Sequence, residues 1–219
     1  MIKLINGNRL YICSLLIVAL LSLAWGHPAQ GKDAHQDRAD FYITINGFDI
    51  SNTDDHWKDG WGIYIEGSYC LIEENYVHYA TRGGIKIWAE LGNKSNTSHC
   101  IIQNNRLYRN AMVGVEAHGR ENIVKGNEIW GTIQHHPNWI NPPTWVDAGG
   151  IRFFGSGHTI RKNYIHDIKY SDPENVNPHI DCFQTWDDSY YEVGHDIVLE
   201  QNTCQNLQGQ SAINPYSGF

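Results

Sequence analysis

The chain has 219 residues and a mass of 25.0 kDa, enough for one domain and marginal for two. With 16 Lys+Arg against 24 Asp+Glu and a formal charge of -8, it lacks the clustered cations that a nucleic-acid binder needs to neutralise phosphates. Its 21 Gly and many Asn are poor helix formers, which disfavours a helix bundle, while 8 Trp, 12 Tyr and 6 Phe, where exposed, would suit stacking on sugar rings or other flat ligands.

Residues 1–26 read as an export signal. Lys3 and Arg9 form a basic leader, and Tyr11 to Trp25 is an apolar stretch of 15 residues, short for a membrane span. A short N-terminal anchor is the alternative. Removing these residues leaves 14 Lys+Arg against 24 Asp+Glu, a charge of -10. It also leaves Cys70, Cys100, Cys182 and Cys204, an even set that permits disulfides in an exported chain. The expectation is a secreted, periplasmic or cell-surface protein, off the membrane once the signal is removed. Residues 27–40 read as a linker and 41–219 as one domain.

That domain is repetitive. The pattern apolar-x-x-Asn-x-apolar appears as Ile72-x-x-Asn75-x-Val77, Ile102-x-x-Asn105-x-Leu107 and Val124-x-x-Asn127-x-Ile129. It recurs as Ile160-x-x-Asn163-x-Ile165 and Leu199-x-x-Asn202-x-Cys204, after a degenerate Ile45-x-x-Phe48-x-Ile50. Each copy leads to Gly-apolar-x-apolar: Gly62-Ile63-Tyr64-Ile65, Gly84-Ile85-Lys86-Ile87, Gly114-Val115-Glu116-Ala117 and Gly150-Ile151-Arg152-Phe153. Cys182-Phe183-Gln184-Thr185 and Ala212-Ile213-Asn214-Pro215 fill the same slot less cleanly. The alternation has period two, so these are short strands. A unit of two or three such strands cannot bury its own face and must stack on copies of itself. The solution is an all-β, right-handed parallel β-helix of about six coils, with the recurring Asn forming an internal ladder. A β-sandwich leaves the fixed offset of that Asn unexplained.

The Asn-ladder pattern resembles the β-helix repeat of the pectate-lyase-like superfamily over roughly residues 41–216. The resemblance implies the fold and a place among lyases, hydrolases, epimerases and non-catalytic adhesins. Six coils at ~4.8 Å give a rod of about 30 Å. No amphipathic cap helix precedes Tyr42, and the chain stops at Phe219 just after a strand. Either end-to-end association or a longer product is expected, because an uncapped stack exposes sheet edges.

Insertions locate the site. Ser51–Trp61, Gly131–Gly149 and Lys169–Ile180 precede the Gly strand, whereas Trp88–Ser98 and Trp186–Gly194 follow it. The outer face of that strand should be the floor of a groove walled by these loops. Parity then names two outward rows. The first is Tyr64, Lys86, Glu116, Arg152, Gln184 and Asn214; the second is Glu66, Trp88, His118, Phe154, Trp186 and Tyr216. A strip of charges beside a strip of aromatics suits an acidic polysaccharide. A plain cross-strand salt ladder is the bland alternative.

Elimination next to a uronic carboxylate needs a base, a charge stabiliser and an acid. Lys86 and Arg152 look like the Lys/Arg usage of β-helix alginate and dermatan lyases, although Glu116 between them would hold Lys86 protonated. Ca²⁺ could be held by Glu66 and Glu116 with the substrate; no cofactor or metal site is assigned. Asn177-Pro178-His179-Ile180-Asp181 is similar to the Asp-Pro-His segment of β-helix uronan C5-epimerases, with Asn177 where an Asp is expected. His179 and Asp181 therefore join Lys86, Glu116 and Arg152 as catalytic candidates. Tyr64, Trp88, His118, Phe154, Gln184, Trp186 and Tyr216 are the candidate substrate contacts. Hydrolysis would draw its carboxyl pair from Asp181, Asp187 and Asp188. His135-His136 reads as solvent-exposed imidazoles rather than a metal site.

The functional expectation is an exported protein acting on an acidic polysaccharide, foremost a lyase. A non-catalytic glycan-binding module, a glycoside hydrolase and a uronan epimerase are the alternatives. Cys70 and Cys100 sit five residues before Asn75 and Asn105, so they should stack, as thiols or as a disulfide. Pairing of Cys182 with Cys204 is left open.

Overall fold

The computed structural model describes residues 43–54, 60–89, 97–143, 146–187, 190–208 and 211–215, the last five through their backbone alone. The signal, the linker, Tyr216 and Asp188 lie outside the described residues, as do the segments on which the end-to-end expectation rests.

Period-two apolarity has the predicted outcome: a right-handed parallel β-helix built from three six-stranded parallel sheets. The first sheet holds β1 (Ile43–Asn46), β4 (Cys70–Glu73), β7 (Ile101–Gln103), β10 (Ile123–Lys125), β13 (Thr159–Arg161) and β16 (Val198–Glu200). The second holds β2 (Asp49–Ser51), β5 (Tyr76–His78), β8 (Arg106–Tyr108), β11 (Glu128–Trp130), β14 (Tyr164–His166) and β17 (Thr203–Gln205). The third, the Gly strands, holds β3 (Trp61–Ile65), β6 (Gly83–Ile87), β9 (Val113–Arg120), β12 (Gly149–Ser156), β15 (Asp181–Thr185) and β18 (Ser211–Pro215). Each rung visits the three sheets in turn and pairs only with its neighbours.

The repeat residues superpose along the axis. Ile45, Ile72, Ile102, Val124, Ile160 and Leu199 share one column, in register from strand to strand. Ile63, Ile85, Val115, Ile151 and Phe183 form another. Both columns belong to the core that fills the cylinder. The recurring Gly has a steric cause: a Cβ at Gly62, Gly84, Gly114 or Gly150 would lie 2.2, 2.3, 2.4 or 2.6 Å from a neighbouring atom. No side chain fits where the rung turns that tightly onto the next.

The Asn ladder fixes the corner between the first two sheets. Asn75 Nδ2 donates to Asn105 Oδ1 (2.9 Å), Asn105 to Asn127 (3.0 Å), Asn127 to Asn163 (3.0 Å) and Asn163 to Asn202 (3.0 Å). The same oxygens accept the backbone N–H of the residue one rung below, and Asn75 Oδ1 accepts that of Phe48 in the degenerate first copy. The residue before each ladder Asn is left-handed: Glu74, Asn104, Gly126, Lys162 and Gln201 have φ of 57, 54, 65, 55 and 55°. That conformation is unfavourable for a side chain other than Gly, and the amide bonds offset it.

Cys182 and Cys204 form a disulfide that ties the third sheet to the second, with Cα atoms 6.1 Å apart, which closes the question left open by the sequence. Cys70 and Cys100 are buried thiols.

Candidate active site on the outer face of the third sheet

The register places the first predicted row in line: Tyr64, Lys86, Glu116, Arg152, Gln184 and Asn214 are successive partners across β3, β6, β9, β12, β15 and β18. Described residues of three of the loops expected as walls, 131–149, 169–180 and 186–194, line a pocket of about 700 Å³ over this row. Its floor includes Lys86, Glu116, Arg152 and Gln184, with His179 and Trp186 at its sides.

The floor is not an open strip. Lys86, Glu116 and Arg152 are only 1, 3 and 4 % exposed. Charges that deep must be paired, and they are. Lys86 Nζ lies 2.6 Å from Glu116 Oε1 and 4.9 and 4.5 Å from the Trp61 and Trp88 ring centres. Glu116 Oε2 lies 3.7 Å from Arg152 Nη1. Arg152 donates from Nε to Gln184 Oε1 (2.8 Å) and from Nη2 to Asp147 Oδ2 (3.2 Å). Gln184 Nε2 donates to the same Asp147 oxygen at 2.9 Å. The row is thus an alternating chain: Lys86, Glu116, Arg152, Asp147. The salt-ladder alternative is correct for the pairing, but burial takes these ions out of the weak, solvated class.

The electrostatics follow from the burial. Burial alone would raise the Glu116 carboxyl, but Lys86, the His118 ring and Arg152 outweigh it and hold it well below the usual carboxylate range. Burial pulls Lys86 down from the usual lysine value against the attraction of Glu116. An ammonium bonded to a carboxylate has no free lone pair, so Lys86 in this pairing is poorly suited to be a base. Burial also drives His118 down to about 4, against the stabilising Glu116 carboxylate. The neutral ring therefore donates Nε2–H to Glu116 Oε1 at 2.8 Å.

A depressed histidine favours the folded state only while it is neutral. Its contribution is complete above its ordinary value of 6.5 and is lost as pH falls towards 4. This group alone should remove about 3 kcal/mol of stability over that window. Urea unfolding at stepped pH should show the decline, and His118→Gln should flatten it. Equal slopes in the two proteins would refute the assignment.

The second predicted row departs from expectation. His118 and Phe154 are 3 and 1 % exposed, sealed rather than offered to a ligand. Tyr191, from the loop after β15, stacks on Phe154 (4.7 Å) and meets His118 (5.4 Å), Trp186 (5.4 Å) and Trp88 (6.3 Å). Parity gave the direction of these side chains but not what covers them. Tyr64 sits beside Lys86 in register, with its hydroxyl donating to Glu66 Oε1 at 3.0 Å. Asp181 does not join the site: it is 1 % exposed, shares the parity of core-facing Phe183 and does not line the pocket. Asp187 is exposed, and among the described residues no three His, Cys, Asp or Glu side chains converge as for a metal.

Several site residues escaped the sequence. Asp147 is the main one: its Oδ1 accepts the His179 N–H (3.3 Å) and lies 4.0 Å from His179 Nδ1, while Oδ2 holds Arg152 and Gln184. Trp61, Trp139 and Tyr190 complete the aromatic walls. Buried Gln134 joins the two preceding loops, donating to Val146 O (2.8 Å) and accepting from Val176 N (2.8 Å) and Asn177 N (3.1 Å). That clasp sets Asp147 against His179. His135 and His136 belong to this wall rather than to solvent: His136 is 5 % exposed, and His135 Nε2 lies 3.1 Å from Pro143 O.

A second aromatic column, also missed, lies on the outer face of the second sheet. Tyr108 stacks on Trp130 (4.9 Å) and Trp130 on His166 (6.0 Å, 1° between planes). These rings occupy one another's faces, so the column is cladding and not a platform for a ligand.

Residues 39–189 match the model of a family described as a protein of unknown function, DUF1565. No curated protein and no solved structure gives a significant match.

Proposed function

We propose that this chain, which belongs to the DUF1565 family, is an exported β-helix protein of the pectate-lyase-like superfamily that cleaves a uronic-acid polysaccharide by β-elimination. The observation that carries the reading is the pocket itself. Arg152 on its floor pairs with Asp147, which lies against His179 at its side, and Trp61, Trp139 and Trp186 line the same pocket. Aromatic walls suit the apolar faces of sugar rings. A guanidinium has five N–H donors, and the bonds to Gln184 and Asp147 use only part of that set. It can therefore also hold a substrate carboxylate and stabilise the charge that develops when the neighbouring proton leaves.

In this reading His179 is the base. Asp147 fixes the His179 backbone by accepting its N–H at 3.3 Å and sets a carboxylate 4.0 Å from Nδ1, and an imidazole is a side chain suited to proton transfer. It removes the proton α to the carboxylate, the bond from the β carbon to the glycosidic oxygen breaks, and the imidazolium returns the proton to that oxygen. The products are an unsaturated uronate and a new chain end. Lys86 is a positioning residue: it cancels Glu116 so that the floor does not repel an anion. Export is supported by the leader pattern of residues 1–26 and by the Cys182–Cys204 disulfide.

A non-catalytic glycan module is the second reading. It is favoured by the balance of Lys86 and Arg152 against Glu116 and Asp147, which leaves the floor neutral before any ligand arrives. One experiment separates them. The protein is incubated with uronic-acid polymers of differing sugar and linkage while ultraviolet absorbance reports the unsaturated product. His179→Ala should lower turnover by about 10²–10⁴-fold while leaving binding intact. Binding without product would establish the module instead, and neither signal on any polymer would overturn both readings.

A further inference from the structure

We propose that Cys70 and Cys100 are a second oxidisable pair, a site for an inter-rung disulfide between β4 and β7 on the first sheet. The two residues occupy the same position of successive rungs, each one residue ahead of the register pair Leu71 and Ile101. Neighbouring parallel strands lie ~4.8 Å apart, within the span of Cα separations that a disulfide bridges. The turns that deliver them are copies of each other. Tyr69 and His99 both have φ of 57°, their rings stack at 5.0 Å, and Ser68 Oγ accepts the Ser98 N–H at 2.9 Å. The sulfurs converge as well: Cys100 Sγ reaches across to the turn of the Cys70 rung, donating to Gly67 O at 3.3 Å, while Cys70 Sγ donates to Ser68 O in that same turn at 3.6 Å.

Either thiol, as its thiolate, attacks a small external disulfide, forming a mixed disulfide and releasing one thiol. The other cysteine then gives up its proton and attacks the protein sulfur of that mixed disulfide, releasing the second thiol. Two protein thiols are oxidised and one external disulfide is reduced to two thiols. Both side chains are at most 2 % exposed, so exchange takes place while the first-sheet rungs are still closing over them.

The test uses the whole chain, reduced and unfolded, then refolded in a mixture of reduced and oxidised glutathione. Thiols are counted under denaturing conditions and the linked peptides are mapped by mass spectrometry. The expected result is no free thiol in residues 43–208, a peptide joining Cys70 to Cys100, and a Tm about 5 °C above that of Cys70→Ser/Cys100→Ser. Cys70→Ala alone should trap glutathione on Cys100. Two unmodified thiols in the refolded wild type, or separate glutathione adducts on Cys70 and Cys100, would overturn the proposal. The readout is independent of any glycan, so its failure leaves the pocket assignment untouched.

Discussion

Replacing Lys86 by Met should destabilise the protein by about 3–5 kcal/mol, although Met fills nearly the same volume and suits its apolar neighbours. The loss comes from what remains. Glu116 is buried and keeps only the His118 N–H at 2.8 Å and Arg152 Nη1 at 3.7 Å once the 2.6 Å ammonium contact is gone. Lys86 also gives up its places over Trp61 and Trp88, a further contribution of roughly 0.5–2 kcal/mol. The double variant Lys86→Met/Glu116→Gln separates the attraction from the stranded charge. If the single loss is mainly an uncompensated carboxylate, the double variant should recover about 2–3 kcal/mol relative to the sum of the two single variants. Urea unfolding of the four proteins closes the cycle. A loss below about 1 kcal/mol for Lys86→Met, or strict additivity, would show that the carboxylate is solvated and that the floor is open to water.

That contrast between a buried and an open floor marks how far the sequence is legible. Column membership follows from strand parity and from one Asn per rung, so Lys86, Glu116 and Arg152 can be aligned across residues 66 apart in the chain. Parity carries no information on cover. Phe154 and His118 point outward as read, yet Tyr191 closes over them, and nothing in the spacing of Trp186–Gly194 foretells that return. The same rule, applied strictly, assigns Asp181 the direction of Phe183; its neighbour His179 drew it into the site by proximity in sequence alone.

Loops are where periodicity ends, and Asp147 shows the consequence. It lies in an aperiodic loop with one acidic residue among prolines and tryptophans, and its importance arises only when that loop folds onto β12 and β15. Gln134 is equally silent in sequence, because its three side-chain bonds go to backbone groups whose positions depend on two separate insertions. The small satellite core of Ala111, Ile133, Trp139 and Val146 explains why the first of these insertions holds a definite shape. A wall with its own buried apolar residues can place a carboxylate reproducibly.

The ladder offers the sharpest test of the fold, since its cost should depend on position. Asn127→Ala should destabilise by about 4 kcal/mol, the sum expected when several buried polar groups lose their partners together. Asn127 Nδ2 donates to Asn163 Oδ1 (3.0 Å), Ile102 O (3.0 Å) and Lys125 O (3.2 Å), and its Oδ1 accepts the backbone N–H and the amide of Asn105, both at 3.0 Å. Alanine leaves those groups at a site that is 1 % exposed, out of reach of bulk water, and a single water in the space the amide vacates does not restore all five bonds. The preceding residue is Gly126, so the left-handed bend itself carries no strain that the amide must offset. Asn202 makes the same donor bond to Ile160 O (2.8 Å) and accepts from Asn163, but it is only half-buried in the last described rung of the second sheet. Water can reach its partners there, and Asn202→Ala should cost about 1 kcal/mol. Denaturant unfolding of the two variants measures the gradient. Equal losses at the two positions would mean that the amides act as separate local caps, whereas a steep difference is what a hydrogen-bonded column buried along its middle requires.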